Sequence, residues 1–105
     1  MTKDKLNDFK ELAECINKIT QDAFEIYEVQ VDNIYRNKIK DENEIEKVIE
    51  GLLDFCHDDK ILLLFKRICR YYYKINPVAT YEYVNIYRNL LAEESLDENK
   101  NKIIE

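Results

Sequence analysis

The chain has 105 residues, 46% of them hydrophobic and 36% charged, with a net charge of −6. That length allows one domain with a core of its own, needing neither disulfides nor metal, and the composition excludes a disordered chain. A single glycine and a single proline exclude an all-β domain, which needs turn residues every few positions.

The first predicted element is a helix from about Lys5 to Lys38. Leu6, Phe9, Leu12, Ile16, Ile19, Ala23, Phe24, Tyr27, Val31, Ile34 and Tyr35 recur there at spacings of three and four, the period of one helix face. Thr20 could cap a new helix and so divide the segment in two. A second candidate break lies near Val29–Asn33, where the stripe drifts. Lys40–Asn43 reads as a linker.

The second helix is expected from Glu44 to His57, on the apolar series Ile45, Val48, Ile49, Leu52, Leu53 and Cys56. Asp41, Glu42 and Glu44 gather at its N-terminus, where the helix dipole favours negative charge. Asp58 or Asp59 caps a third helix, Ile61 to Lys74, which is the most apolar at its start and therefore the most buried. Asn76-Pro77 ends that helix and begins the fourth. Proline disfavours helical geometry in the residue before it, yet fits the first helical position of the next element.

The fourth helix continues through Tyr81, Val84, Tyr87, Leu90 and Leu91 to about Glu94. Residues 95–105 are polar apart from Leu96, Ile103 and Ile104, and either fray or prolong it. Together these elements predict an all-α, compact four-helix bundle in residues 1–94, with a long N-terminal helix, or five helices if the first breaks at Thr20. An unbroken first helix would be about 50 Å long at 1.5 Å per residue. It would overhang a third helix of roughly 20 Å, and an overhanging apolar stripe needs a partner. A homodimer satisfies it.

Charge is unevenly placed. Eight bases and sixteen acids precede Lys60, whereas residues 60–92 hold six bases and only Glu82. Six of the eight tyrosines fall in the same basic stretch. Lys66, Arg70 and Lys74 line up at i, i+4 and i+8 with Arg67 beside them, so bases and aromatics interleave on the third helix. Such a surface can follow a phosphate backbone and stack bases. A basic helical hairpin beside acidic helices also neutralises the fold internally, and the overall negative charge opposes non-specific phosphate contact.

Catalytic and metal chemistry find little support. Cys56-His57-Asp58-Asp59 lacks the second Cys/His pair that tetrahedral zinc needs. Asp54 and His57 have the i, i+3 spacing of di-iron bundles, but His57 is the only histidine and the motif cannot repeat. Glu42, Glu46 and Glu50 form a carboxylate row that is expected to face water. Cys15, Cys56 and Cys69 lie in apolar patterns and are odd in number, which fits reduced core thiols in a cytoplasmic protein. The first ten residues carry acids and bases without the apolar stretch of a signal peptide. The longest apolar run, Ile61–Phe65, is far short of the roughly 18–20 residues of a membrane span.

Size and expected architecture resemble those of small helical immunity, antitoxin-like and mobile-element accessory proteins, at the level of fold alone. The sequence therefore predicts a non-enzymatic protein-interaction module such as an adaptor or inhibitor, with no cofactor or metal, that binds another protein or itself. Its expected surface joins exposed Tyr71, Tyr73 and Tyr83 with Arg67, Arg70 and Arg88, since Tyr and Arg dominate binding hot spots. Glu42, Glu44, Glu46 and Glu50 form a second, acidic patch. The alternative is a DNA- or RNA-associated regulator using Lys66, Arg67, Arg70 and Lys74 in the hairpin 60–92.

Overall fold

The computed structural model describes the backbone of residues 3–104 and the side chains of residues 7–92. It is all-helical: α1 Lys3–Arg36, α2 Glu42–Leu53, α3 Asp59–Tyr73 and α4 Pro77–Ile104. α1 is continuous over 34 residues, so neither the break at Thr20 nor the one near Val29–Asn33 occurs. No proline or glycine interrupts the backbone ladder there, and Thr20 sits on the buried face instead of capping anything. α1 ends in a left-handed turn, with Lys38 at φ 49. The Ile39 amide donates to the Ile34 carbonyl at 3.0 Å and the Lys38 amide to that of Tyr35 at 3.4 Å, which satisfies two terminal carbonyls.

Each later helix starts on a side-chain cap. Asp41 accepts from the Asn43 amide at 3.0 Å. Asp58 accepts from the amides of Lys60 and Ile61, both at 3.1 Å. Asn76, the first residue of the predicted Asn76-Pro77 switch, accepts from the Ala79 amide at 3.0 Å. α2 stops at Leu53, four residues before the expected His57. The chain turns tightly here, the Phe55 amide donating to Leu52 and the Asp58 amide to Phe55, and this brings Asp58 round to cap α3. α4 runs past Glu94 to Ile104.

α3 is the central element and packs closely against each of the other three helices. Ile61, Leu64, Phe65, Ile68, Cys69 and Tyr72 are buried along it. They meet Val31 and Ile34 of α1 and Ile45, Val48, Ile49 and Leu52 of α2 in one cluster. Removing such side chains from water is the main favourable contribution to the fold, about 1.5–3 kcal/mol for each large aliphatic residue.

The bundle does not reach the whole of α1. Residues 7–19 are exposed on every side, and the longest dimension of the molecule is 53 Å, close to the length of α1 itself. Cys15, expected in the core, is consequently exposed, whereas Cys56 is half-buried and Cys69 buried. All three are free thiols. No described helix is long and apolar enough to cross a membrane.

Candidate functional site

The three consecutive tyrosines at the end of α3 point in three directions, because successive helical residues are about 100° apart. Tyr72 faces α2. There Glu42, Glu46 and Glu50 occur one helical turn apart, and α3 and α4 answer them with hydroxyl and amide donors. The Tyr72 hydroxyl lies 3.0 Å from Glu42 and also meets Glu46. The Tyr83 hydroxyl lies 3.0 Å from Glu46 and 2.8 Å from Glu50. Asn76 donates from Nδ2 to Glu42 at 2.6 Å. Each phenol has one proton to offer two carboxylates, so the donors alternate along the row.

The electrostatics follow from these contacts. The Asn76 amide, with the Tyr72 hydroxyl second, holds the Glu42 carboxyl below its ordinary range. Burial raises the Tyr72 and Tyr83 phenols well above theirs, and the facing carboxylates raise them further. The carboxylate row therefore does not simply face water as expected. Three of the four residues of the acidic patch join α2 to α3 and α4, and Glu44 alone has no such bond.

Tyr71 faces α1. Its hydroxyl donates to the Ile39 carbonyl at 2.6 Å and its ring lies 5.0 Å from that of Tyr35. Arg67 is held on the same side, with Nη1 2.7 Å from Asp32 and its guanidinium 4.6 Å from the centre of the Tyr35 ring. Of the three tyrosines expected to be exposed, Tyr71 and Tyr83 are half-buried with engaged hydroxyls, and only Tyr73 is open to solvent. Arg67 likewise belongs to the α1–α3 contact and is not a free cation.

The third direction is open. Between α3 and α4 lies a trough of about 600 Å³. Leu62, Phe65 and Cys69 of α3 line one wall, and Thr80, Val84 and Tyr87 of α4 the other. Phe65 and Tyr87 meet across it with ring centres 5.5 Å apart. Lys66, Arg70 and Lys74 stand along the α3 bank with Tyr73, and Arg88 stands on the α4 bank. All four cations are exposed. Among the described residues, the ion pairs within 4.0 Å are Lys18 with Asp22 and Arg67 with Asp32, so the rim is uncompensated. The structure thus brings Arg70, Tyr73 and Arg88 together with Lys66 and Lys74, and places Arg67, Tyr71 and Tyr83 elsewhere.

Sequence reasoning missed the floor of this trough. The signal was present: α3 carries Leu62, Phe65, Cys69 and Tyr73 as a second apolar row beside its core row of Ile61, Leu64, Ile68 and Tyr72. The Cys69 thiol is unsuited to nucleophilic work, since burial, with Cys56 second, pushes it up to about 12. Burial pushes Cys56 up to about 11. His57 is exposed. Among the described residues no three His, Cys, Asp or Glu side chains gather in a metal-binding arrangement. Comparison of the chain with protein-family models, with curated proteins and with solved structures finds no match.

Proposed function

We propose that this protein is a helical binding module that acts by occupying a segment of a partner protein and not by catalysis. Its working surface is the α3–α4 trough. The observation that carries this reading is the pairing of an apolar floor with four exposed cations on its rim, which no described carboxylate pairs. The floor favours Leu- or Phe-type side chains, whose burial is worth about 1.5–3 kcal/mol each. The rim favours carboxylates that flank them.

Lys66, Arg70 and Lys74 are spaced one helical turn apart, and the bank from Leu62 to Lys74 is about 18 Å long at 1.5 Å per residue. An amphipathic helix of about three turns, with Leu-like residues at i, i+3 or i+4 and i+7 and Glu or Asp beside them, matches both features. A single small anion would satisfy one cation and leave the others as they are. Nucleic acid would satisfy the rim but would lay its most hydrophilic part, the phosphates, along an apolar trough. Free thiols at Cys15, Cys56 and Cys69 suit a reducing, cytoplasmic setting.

Fluorescence anisotropy tests the assignment. The probes are a labelled helical peptide with three leucines and flanking glutamates, a scrambled peptide of the same composition, duplex DNA and single-stranded RNA, at about 50 and 200 mM salt. The expected result is binding of the amphipathic peptide alone, weakened at least about tenfold in Lys66→Glu/Lys74→Glu. Binding of DNA or RNA that falls steeply with salt, with no response to the peptide, would transfer this surface to the nucleic-acid reading.

A further inference from the structure

The exposed part of α1 carries an ordered apolar seam. Phe9, Leu12, Ile16, Ile19, Ala23 and Ile26 follow one another at alternating spacings of three and four, the a/d pattern that forms a straight stripe for a second helix. Five of the six are exposed, from 48% at Ile16 to 59% at Phe9. The bundle leaves these five uncovered because it packs on the neighbouring face of α1, through Thr20, Phe24, Tyr27, Val31 and Ile34, and of the seam it covers only Ala23, which is buried at the mouth of the cleft described next. A lone helix of this length is marginal in water, and a row of half-exposed large apolar residues makes it worse.

At its C-terminal end the seam enters a cleft of about 600 Å³ between α1 and the α2 side, lined by Ile19, Ala23, Ile26 and Tyr27 with Lys47 and Phe55 opposite. The stripe thus begins on an overhang and ends in a cavity, two parts that fit each other on two copies of the chain.

We infer that α1 pairs with α1 of a second copy, antiparallel, in the register that sets Phe9 against Ile26, Leu12 against Ala23 and Ile16 against Ile19. In an antiparallel pair an a position faces a d position of the other helix. The two numbers then sum to 35 in every layer, and all six seam residues are used. The small Ala23 receives Leu12, and Phe9 arrives at the cleft beside Ile26. The two bundles lie at opposite ends and do not compete for space. A parallel pair would instead stack Phe9 on Phe9 and Ala23 on Ala23, and would align Glu11 and Glu14 with their own copies.

The area is adequate. Five side chains with roughly 100 Å² exposed apiece give about 500 Å² per copy, or about 1,000 Å² for the pair, where specific interfaces begin. The contact is independent of the α3–α4 trough.

Sedimentation velocity on the full chain tests the inference, with circular dichroism as the control for folding. Wild type is expected as a dimer of twice 12.7 kDa at micromolar concentration. Leu12→Glu/Ile16→Glu is expected to weaken the dimer at least about 100-fold with its melting transition intact, because neither residue touches the core. Ile26→Glu, in the layer that Phe9 of the second copy completes, is expected to do likewise, whereas Lys66→Glu/Lys74→Glu leaves the dimer unchanged. A wild-type monomer at about 50 µM, or a dimer that survives Leu12→Glu/Ile16→Glu, would overturn the assignment. Spin labels at Asp8→Cys in a Cys15→Ser background check the direction. Antiparallel pairing separates them by about 30 Å along the helix, and a separation near 10 Å would mean a parallel pair and sink the register.

Discussion

Tyr35 and Arg67 hold each other twice. The Tyr35 hydroxyl donates to the backbone carbonyl of Arg67 at 2.8 Å, and the Arg67 guanidinium returns over the Tyr35 ring at 4.6 Å while it reaches Asp32 at 2.7 Å. Phenol, guanidinium and carboxylate form one closed unit between α1 and α3. The ion pair is partly exposed, so it alone is worth only a few tenths of a kcal/mol to about 1. The ring contact adds a similar amount. Arg67→Ala is therefore expected to lower the urea-unfolding free energy by about 1–2 kcal/mol. Arg70→Ala, one turn along and with no ion pair among the described residues, should stay within about 0.5 kcal/mol of wild type. Equal losses from both would mean that Arg67 is as free as Arg70.

The tyrosine–glutamate ladder predicts a stability that falls at both ends of the pH range. The Tyr72 and Tyr83 phenols are raised in the folded chain, so their contribution is full below their unfolded value of about 10 and is lost as pH climbs above it. Glu42 is shifted the other way. Its contribution is present above the unfolded value of 4.5 and disappears as pH falls below that. Absorbance titration should therefore show two of the eight tyrosines ionising only as the helical signal is lost. Tyr72→Phe/Tyr83→Phe should remove that coupling and cost about 1–3 kcal/mol near neutral pH. All eight tyrosines titrating together near pH 10 in folded protein would contradict the ladder.

Lys38 occupies the left-handed position that ends α1, at φ 49. A side chain there costs roughly 1 kcal/mol relative to glycine, which adopts the conformation freely. Lys38→Gly is expected to raise the melting temperature by a few degrees, since about 1 kcal/mol corresponds to roughly 4–8 °C in a domain of this size. Lys38→Val should lower it, because a β-branched residue fits that region worst.

Gly51 of α2 lies directly under the Tyr27 phenol of α1, so a side chain there has to move the ring. A methyl group built there would overlap the Tyr27 phenol, with the ring carbons Cζ and Cε1 at 2.6 and 2.8 Å. Alanine normally stabilises a helix by about 1 kcal/mol over glycine. Gly51→Ala should instead destabilise this protein by displacing the Tyr27 ring from the α1–α2 contact. Gly51→Ala in a Tyr27→Ala background should recover the ordinary helix preference, and a chemical-denaturation cycle over the four proteins reads the difference.

The amino-acid sequence determined by itself most of what is local. The periods of three and four, the scarcity of glycine and proline, and the caps Asp58 and Asn76 with Pro77 behind it place the starts of four helices to within a few residues. Those signals act within one or two turns of chain, and nothing distant overrides them. The end of α2 was less legible, because Cys56 continues the apolar series past the point where tight turns take over.

Only the tertiary structure decided how the residues are used. Tyr71, Tyr72 and Tyr73 are chemically identical and adjacent, and each one's role depends on what lies about 100° round the helix from the next: α1, α2 or the open trough. The same holds for Arg67 and Arg70, one tied to Asp32 and one free. In α1, the apolar stripe has one character from Phe9 to Ile34, yet the bundle covers only its later part. A stripe records that a face is to be buried, and the neighbour that buries it is fixed by the length and angle of helices far away in the chain.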